Sequence, residues 1–417
     1  MIKIAGMNRQ VIIIGGGAAG FFAAVNLKRM APSCEVTLLE KGNKLLSKVR
    51  VSGGGRCNVT HACFEDSVLV RNYPRGAKAL RGAFSRFSTT DTVRWFEERG
   101  VPLKTEEDGR MFPRSDQSAS IIDCLLAEAD LLGVRIKMGA DVKKISKQED
   151  AYLIQLAGEG SLVADNLVIA TGGFPKSESY AWLRELGHII VPPVPSLFTF
   201  NVPGREITKL MGLSVPTALV RIEGSPLFSS GSLLITHWGF SGPAILKLSA
   251  WAARDLYERN YIFNIRISWL GELKEEEVRL RFADARANWN IRLVSGHPLF
   301  ALPRRLWEHL VSEAGISSGT KWADLSKQQM NKLTANLLND MYAVKGKTTF
   351  KEEFVTCGGI DLSEVDFRTM ESRRCKGIYF AGEVLDIDGV TGGFNFQSAW
   401  TTGWIAAQAI AAAEERG

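Results

Sequence analysis

Gln10-Val11-Ile12-Ile13-Ile14-Gly15-Gly16-Gly17-Ala18-Ala19-Gly20 is the stretch from which the fold is read. Five residues rich in β-branched apolar side chains form a buried parallel strand. The G-x-G-x-x-G that follows turns the chain, and Phe21–Met30 has the composition of a helix. Glu35–Glu40 is a second strand ending in an acid. Each glycine has a physical task. Gly15 permits the tight turn, Gly17 lets backbone approach a pyrophosphate, and Gly20 lets the helix lie close to the strand. Ala18 and Ala19 lead into that helix, whose N-terminus offers free N–H groups and about half a positive charge to an anion. Glu40 stands about 20 residues beyond the last glycine, where its carboxylate accepts from ribose hydroxyls, and Lys41 follows it. The unit binds the ADP half of a dinucleotide. An acid at 40 disfavours the 2′-phosphate of NADP there, because two anions repel. NAD and FAD both remain open at this point.

Three further glycine-rich segments bear on that choice. Lys48 to Asn58 holds Ser52, Gly53, Gly54, Gly55, Arg56, Cys57 and Asn58. It is a ligand-contacting loop of bare backbone flanked by donors. Cys57 has no CxxC partner and no activating histidine in sequence, so a contact or structural role is expected of it. Asn166–Ile169 leads into Ala170, Thr171, Gly172 and Gly173, a strand ending in a glycine turn beside the nucleotide. Val134–Val142 reads as one more strand, with Val142 at the cofactor, and Tyr152–Leu156 with Ser161–Ala164 as a hairpin. The third segment runs from Gly377 through Gly382, Glu383 and Asp386 to Gly392, Gly393, Phe394, Asn395 and Phe396. An alanine-rich helix, Ser398–Ala413, follows. Asp386 can bond a polyol hydroxyl, and the helix N-terminus can face an oxygen that gains negative charge on reduction.

These motifs resemble the BaiN/RdsA family of NAD(P)/FAD-dependent oxidoreductases, within the two-dinucleotide-binding flavoprotein superfamily. The resemblance is carried by GGGAAG at 15–20, SGGGRCN at 52–58, ATGG at 170–173, THWGFSGPAILKLS at 236–249, TCGGI at 356–360 and AGEVLDIDGVTGGFNFQSAW at 381–400. They span nearly the whole chain in the family's order. The resemblance implies FAD as cofactor. It places Gly382, Glu383 and Asp386 by the pyrophosphate and ribityl chain, and Gly393 to Phe396 near the flavin ring. Trp238 departs from the family pattern, standing where smaller residues are common. The family includes reduction of conjugated C=C bonds and oxidation of small amines.

The chain has 417 residues, enough for two or three domains. The expected fold is α/β: a Rossmann-like FAD-binding domain formed by both chain ends, 1–194 and 348–417. Between them lies an inserted β-rich substrate domain, 195–272 with 340–347, which the family resemblance implies is β-barrel-like, carrying a helical subdomain, 273–339. Its expected elements are strands Leu197–Val202, Val215–Ile222, Gly231–Thr236 and Tyr261–Ser268, and a helix starting at Pro243, a residue favoured in the first turn. Helices Lys274–Ala285, Pro303–Ala314 and Ser326–Leu338 follow.

Hydrophobic residues make up 45% and charged residues 23%, the balance of a soluble globular protein. No apolar run reaches the roughly 18 residues of a membrane span, and no signal-peptide pattern is visible, so no membrane contact and a cytoplasmic location are expected. Six scattered cysteines exclude a zinc ribbon, and no acid–histidine cluster has metal-ligand spacing, so no metal is expected. His237, ahead of the Gly239–Pro243 turn, is the candidate acid/base group, since histidine titrates near neutrality. His61, His188, His297 and His309 are isolated in the sequence.

The net charge of +6 fits anionic ligands. Arg50, Arg56, Arg71, Arg75, Lys78, Arg81 and Arg86 make one stretch basic, either a solvated face or a surface for an anionic substrate or RNA. Tyr73, Phe84 and Phe87 are interleaved with them, as stacking groups or as core. The expected activity is flavin-dependent oxidoreduction of a small organic substrate, with NAD(P)H as transient co-substrate. No second G-x-G-x-x-G opens a separate nicotinamide domain. The alternatives are an RNA-directed, tRNA-modifying flavoprotein and a small-amine oxidase using oxygen.

Overall fold

The computed structural model describes residues 8–158, 160–348 and 355–415. The chain divides into two compact units, Met1–Ser196 with Lys351–Gly417, and Leu197–Phe350.

The first unit is built on a seven-stranded sheet. Its parallel part comprises β1 (Gln10–Ile14), β2 (Glu35–Glu40), β3 (Arg135–Met138), β4 (Asn166–Ile169) and β7 (Ile378–Phe380). The strand order is β7-β4-β1-β2-β3, extended beyond β7 by two short antiparallel strands, Glu371–Ser372 and Val365–Asp366. Chain order reverses beside β1, because β2 lies on one side of it and β4 on the other. Ligands of open α/β sheets bind at such a switch point, beyond the carboxyl ends of the strands. Val11 to Ile14 are buried, as strands covered on both faces require. Helix α1 (Ala18–Met30) and the C-terminal helix α2 (Phe394–Glu414) pack against each other closely. The reason is local: a Cβ on Gly403 would stand 2.7 Å from the Ala19 carbonyl oxygen, so only glycine admits this approach. An antiparallel pair joins β5 (Ile190–Ser196) to β6 (Val355–Ile360).

One expected strand is divided. Between 134 and 142 the chain forms β3 and then starts a separate strand, Val142–Gln148. Gly139 takes φ +65°, and the Ala140 N–H turns back to the Glu40 carbonyl. This second strand pairs with Ala151–Leu156, which pairs with Ser161–Ala164, so the expected hairpin is two strands of a three-stranded meander.

The second unit holds an antiparallel sheet of seven strands in the order Asp340–Lys345, Ile262–Ser268, Ser214–Ile222, Phe228–Ile235, Gly239–Ser241, Thr199–Asn201, Lys347–Thr348. The first and last strands are consecutive in sequence, separated by Gly346 alone. One continuous segment therefore forms both edges, and the Asn201 N–H bonds to the Gly346 carbonyl. The ladder closes on itself in the manner of a barrel, which removes exposed edges. Helix Pro243–Trp251 opens on its proline, and helices Glu275–Asn288, Arg304–Glu313 and Lys327–Leu338 follow. Phe200, Val220, Phe240, Trp269, Trp307 and Trp322 anchor the core of this unit.

Candidate functional site

The glycine-rich motifs at 15–20, 48–58, 170–173 and 382–393 converge at the carboxyl ends of the parallel strands of the first unit. Gly15 leaves β1 with φ +119°, and any Cβ there would overlap the Ala170 carbonyl oxygen. A Cβ on Gly20 would overlap the Gly15 carbonyl oxygen. Both glycines are thus required by the protein itself. Gly17 differs: it has ordinary extended backbone (φ −94°, ψ −170°), and a Cβ built on it has no neighbour within 4 Å. It caps α1, whose first intrahelical bond runs from Phe21 N–H to the Gly17 carbonyl. The N–H groups ahead of Phe21, those of Ala18, Ala19 and Gly20, precede the helical ladder.

Glu40 ends β2 beside this turn. Its Oε2 accepts from Gly16 N–H at 2.9 Å and its Oε1 from Gly42 N–H at 2.7 Å. The carboxylate therefore shapes the glycine loop as well as standing where the ribose is expected. Lys41 lies over the Phe174 ring, 5.3 Å from its centroid, which ties the end of β2 to the Gly172–Gly173 turn. Val142 sits opposite Leu156 in the meander, just after the turn bonded to Glu40.

Lys48 to Asn58 is not a plain loop. Helical turns begin at Ser47, and the chain then takes left-handed backbone at Gly53, Gly54 and Gly55. This run explains three consecutive glycines. Arg56 lies over the Phe112 ring at 4.0 Å and pairs with Glu106 at 2.5 Å. Cys57 is fully buried, and burial pushes its thiol up to about 12. It is no nucleophile in this setting. Ser52 accepts from Cys57 N–H through its carbonyl. Asn58, with its amide oriented to suit its neighbours, donates to the Thr60 carbonyl and accepts from Gly393 N–H.

The C-terminal motif meets the others. Lys48 Nζ pairs with Glu383 Oε2 at 2.6 Å across 335 positions of sequence. Glu383 Oε1 accepts from Thr356 N–H at 2.8 Å. A Cβ on Gly173 would press on the Thr356 side chain and on Glu383. The Thr356 hydroxyl is buried without a hydrogen-bond partner. Gly382 packs on Ala19, where a Cβ would lie 2.8 Å from the Ala19 Cβ, and its N–H donates to Thr402 Oγ1. Thr171 follows Ala170 directly above Gly15. Asp386 is half-buried, with its N–H on the Ile360 carbonyl.

Several expected contact residues are occupied by the fold. Asn395 exchanges two hydrogen bonds with the backbone of Gly389 and closes its own loop. Phe394 is buried and stacked on His61 at 4.6 Å. Phe396 stacks on Trp400. Gln397 is buried between Thr60 and Thr92. Gly392 accepts from His61 Nδ1 through its carbonyl. His61, isolated in sequence, is thus part of the C-terminal glycine loop. Its signal was the glycine pair 331 residues away, which no local pattern connects to it.

The basic stretch resolves into paired and solvated members. Arg75 forms an ion pair with fully buried Asp388, and Ser196 donates to the same carboxylate at 2.7 Å. Burial pushes the Asp388 carboxyl up, and the Arg75 guanidinium and Ser196 hydroxyl oppose that shift. Arg86 donates to the Arg368 carbonyl and to Gln408. Tyr73, Phe84 and Phe87 are buried, so they are core groups. Arg71, Lys78 and Arg81 are exposed.

His237 belongs to the second unit. It is exposed in the turn Thr236–Gly239, with its ring edge-on to Trp238 at 4.0 Å. Among the described residues, no group of three or more His, Cys, Asp or Glu could hold a metal, and no helix is long and apolar enough to cross a membrane.

A parallel sheet reversing at β1, with a glycine cradle open at Gly17, defines a Rossmann-type dinucleotide-binding fold. The chain belongs to the HI0933-like protein Rossmann domain family, which matches residues 9–409. It is 29% identical to a 3-dehydro-bile acid delta(4,6)-reductase of Clostridium scindens, over 97% of this chain and 99% of that one. It is 30% identical to a ribosomal RNA dihydrouridine synthase of Haemophilus influenzae, over 96% of this chain and 98% of that one. In fold it is similar to a 3-ketosteroid-delta4-(5alpha)-dehydrogenase of Rhodococcus jostii, with TM-score 0.52 and 13% identity over 97% of this chain and 98% of that one.

Proposed function

We propose that the protein uses FAD to reduce an activated ring C=C bond in a small organic substrate, with NAD(P)H as the electron source. The observation that carries the FAD site is the contrast among the glycines. Those at 15, 20, 173 and 382 are required by neighbouring protein atoms and those at 54, 55 and 172 by left-handed backbone, whereas Gly17 has extended backbone and faces open space. A cradle of bare backbone beside a helix N-terminus fits a pyrophosphate. The chain would hold the ADP half with Gly17, Ala18, Ala19 and Glu40, and the remainder with Lys48, Ser52 to Arg56, Thr171 to Gly173, Glu383 and Asp386. Asn58, Gly392 and Gly393 shape the loop behind it. Bound there, the flavin supplies hydride transfer, and the protein orients it and excludes competing reactions.

Two relatives support the reaction class. One name describes a reductase of double bonds and the other a synthase of dihydrouridine. Each describes adding two hydrogens across a ring double bond, although the substrates differ greatly in size. His237, solvated in its turn, is the candidate proton donor. The test is anaerobic rapid mixing of the holoprotein with NADPH, NADH and a panel of amines, followed by small cyclic enones. Bleaching of the flavin band by a nicotinamide and its recovery on an enone are expected. Bleaching by an amine alone would replace this reading with an oxidase.

A second reading, action on RNA, is favoured by the dihydrouridine synthase relative. It predicts RNA binding at low salt that Arg81→Glu weakens. Arg75 is unsuitable for that test, because reversing its charge would break the buried pair with Asp388.

A further inference from the structure

The peptide between Gly392 and Gly393 is gripped at both ends by side chains from one short stretch of chain. Its carbonyl accepts from His61 Nδ1 at 3.0 Å. Its N–H donates to the Asn58 amide oxygen at 3.0 Å, in the orientation that satisfies this buried amide. A carbonyl oxygen only accepts, so the imidazole carries a proton on Nδ1. The stretch is itself anchored to α2: Trp400 Nε1 donates to the Val59 carbonyl at 2.9 Å, and Thr60 Oγ1 to Gln397 Oε1 at 2.6 Å. The ring of His61 lies between two turns. A Cβ on Gly392 would stand 3.3 Å from its Nδ1, and one on Gly109 would stand 2.5 Å from its Nε2.

A peptide flanked by two glycines turns most easily, because neither residue has a Cβ to resist. Gly392 at φ +126° and Gly393 at φ +95° both use that freedom. A half-turn would exchange the directions of carbonyl and N–H at the head of α2. There the N–H groups of Phe394, Asn395 and Phe396 precede the first intrahelical bond, from Gln397 N–H to the Gly393 carbonyl. Donors at a helix N-terminus serve a developing negative charge best when they are fixed in advance. The two side-chain bonds provide that fixing.

We propose that His61 is a positioning residue for the flavin. With Asn58 it holds the Gly392–Gly393 peptide in one sense, so that the head of α2 is set for the negative charge gained on reduction. The imidazole acts through the peptide. The proposal rests on the FAD reading above.

Two variants separate the hydrogen bond from the stacking on Phe394. His61→Phe keeps a ring and removes the donor. His61→Asn removes the ring and keeps an amide nitrogen the same number of bonds from Cα as Nδ1. Hydrogen–deuterium exchange of the flavin-free protein reads the grip directly. The amides of 392–396 should exchange about tenfold faster in His61→Phe, as losing one hydrogen bond of about 1.4 kcal/mol gives, and near the wild-type rate in His61→Asn. The two-electron potential of the bound flavin, titrated against a reference dye, reads its use. It should fall by about 30 mV in His61→Phe, a tenfold weaker hold on the reduced form relative to the oxidised one, and stay near the wild-type value in His61→Asn. An unchanged potential in flavin-loaded His61→Phe overturns the proposal. So does an equal fall in both variants, which would make the ring stack the cause, and so does unaltered exchange. Should His61→Phe fold poorly, His61→Met takes its place in both measurements. A wild type that takes up no FAD removes the FAD reading and this proposal together, whereas normal uptake with any of these results removes the proposal alone.

Discussion

Gly17→Val separates ligand binding from folding, because the space beside Gly17 is empty of protein. Its backbone is extended and needs no glycine, and its Cβ direction has no neighbour within 4 Å. Valine is a poorer N-cap, at a cost of about 1 kcal/mol or less. The folded state should therefore survive in a 417-residue chain. The methyl groups would occupy the approach to the N–H groups of α1. If a pyrophosphate forfeits two charge-assisted bonds of about 1.5–3 kcal/mol each, affinity falls by about 3–6 kcal/mol, or roughly 10²- to 10⁴-fold. The assay is the flavin-to-protein ratio after purification, with titration of FAD into the stripped protein and the Tm without flavin. Gly20→Val is the contrasting control: its side chain would overlap the Gly15 carbonyl, so it should fail to fold. A Gly17→Val protein with wild-type FAD affinity refutes the placement of the pyrophosphate. One that unfolds refutes the claim that the position is open.

Further outcomes follow from the same geometry. Cys57 should resist alkylation at pH 8 in the native protein and react on unfolding, since burial pushes its thiol up to about 12; peptide mapping of labelled native protein checks this. Arg75→Met should lower unfolding stability by about 3–5 kcal/mol, read from denaturant melts, because Asp388 is left buried without its cation. His188 is buried against Glu364, and burial lowers its pKa below the ordinary 6.5. A base depressed in the folded state contributes stability above the unfolded value and loses it as pH falls below about 6.5. His188→Gln should remove that part of the acid limb in melts taken from pH 7.5 to 5. A wild type that gains stability over this window would show instead that the Glu364 pairing dominates.

The α/β class was legible because strand, glycine turn, helix, strand and acid stand in one short register. Those parts need only neighbours in sequence. The same holds for the helix opening at Pro243 and for the strands of the second unit, whose apolar alternation matches the observed pairing. Gly139 hid the break between β3 and Val142–Gln148, since a single glycine inside an apolar run resembles a bulge as much as a turn. The C-terminal motif was legible as glycine-rich but not as to which residues the fold itself occupies. Asn395, Phe394 and Gln397 have the chemistry of ligand contacts, yet their partners are Gly389, His61 and three threonines. Asp386 stands out by its chemistry and is half-buried, whereas Asp388, between Ile387 and Gly389, is the carboxylate the fold buries completely. Its cation is Arg75, 313 positions away, and no pattern within one sequence joins them.

The pairing at the two ends of the second unit has a consequence for how such a chain can be rearranged. Thr199 is the ladder partner of Thr348, while Ser196 is the partner of Val355 in the first unit. The guest segment thus begins and ends at adjacent points, and the host is severed between two residues already side by side. A chain cut this way can lose, gain or exchange its guest without moving the strands that carry the glycine cradle. Replacing 199–348 by a short linker should leave a host that still takes up flavin, and joining residues 199 and 348 should allow the closed ladder to be reopened at any exposed turn. The glycine cradle and the closed ladder are then separable parts of one chain.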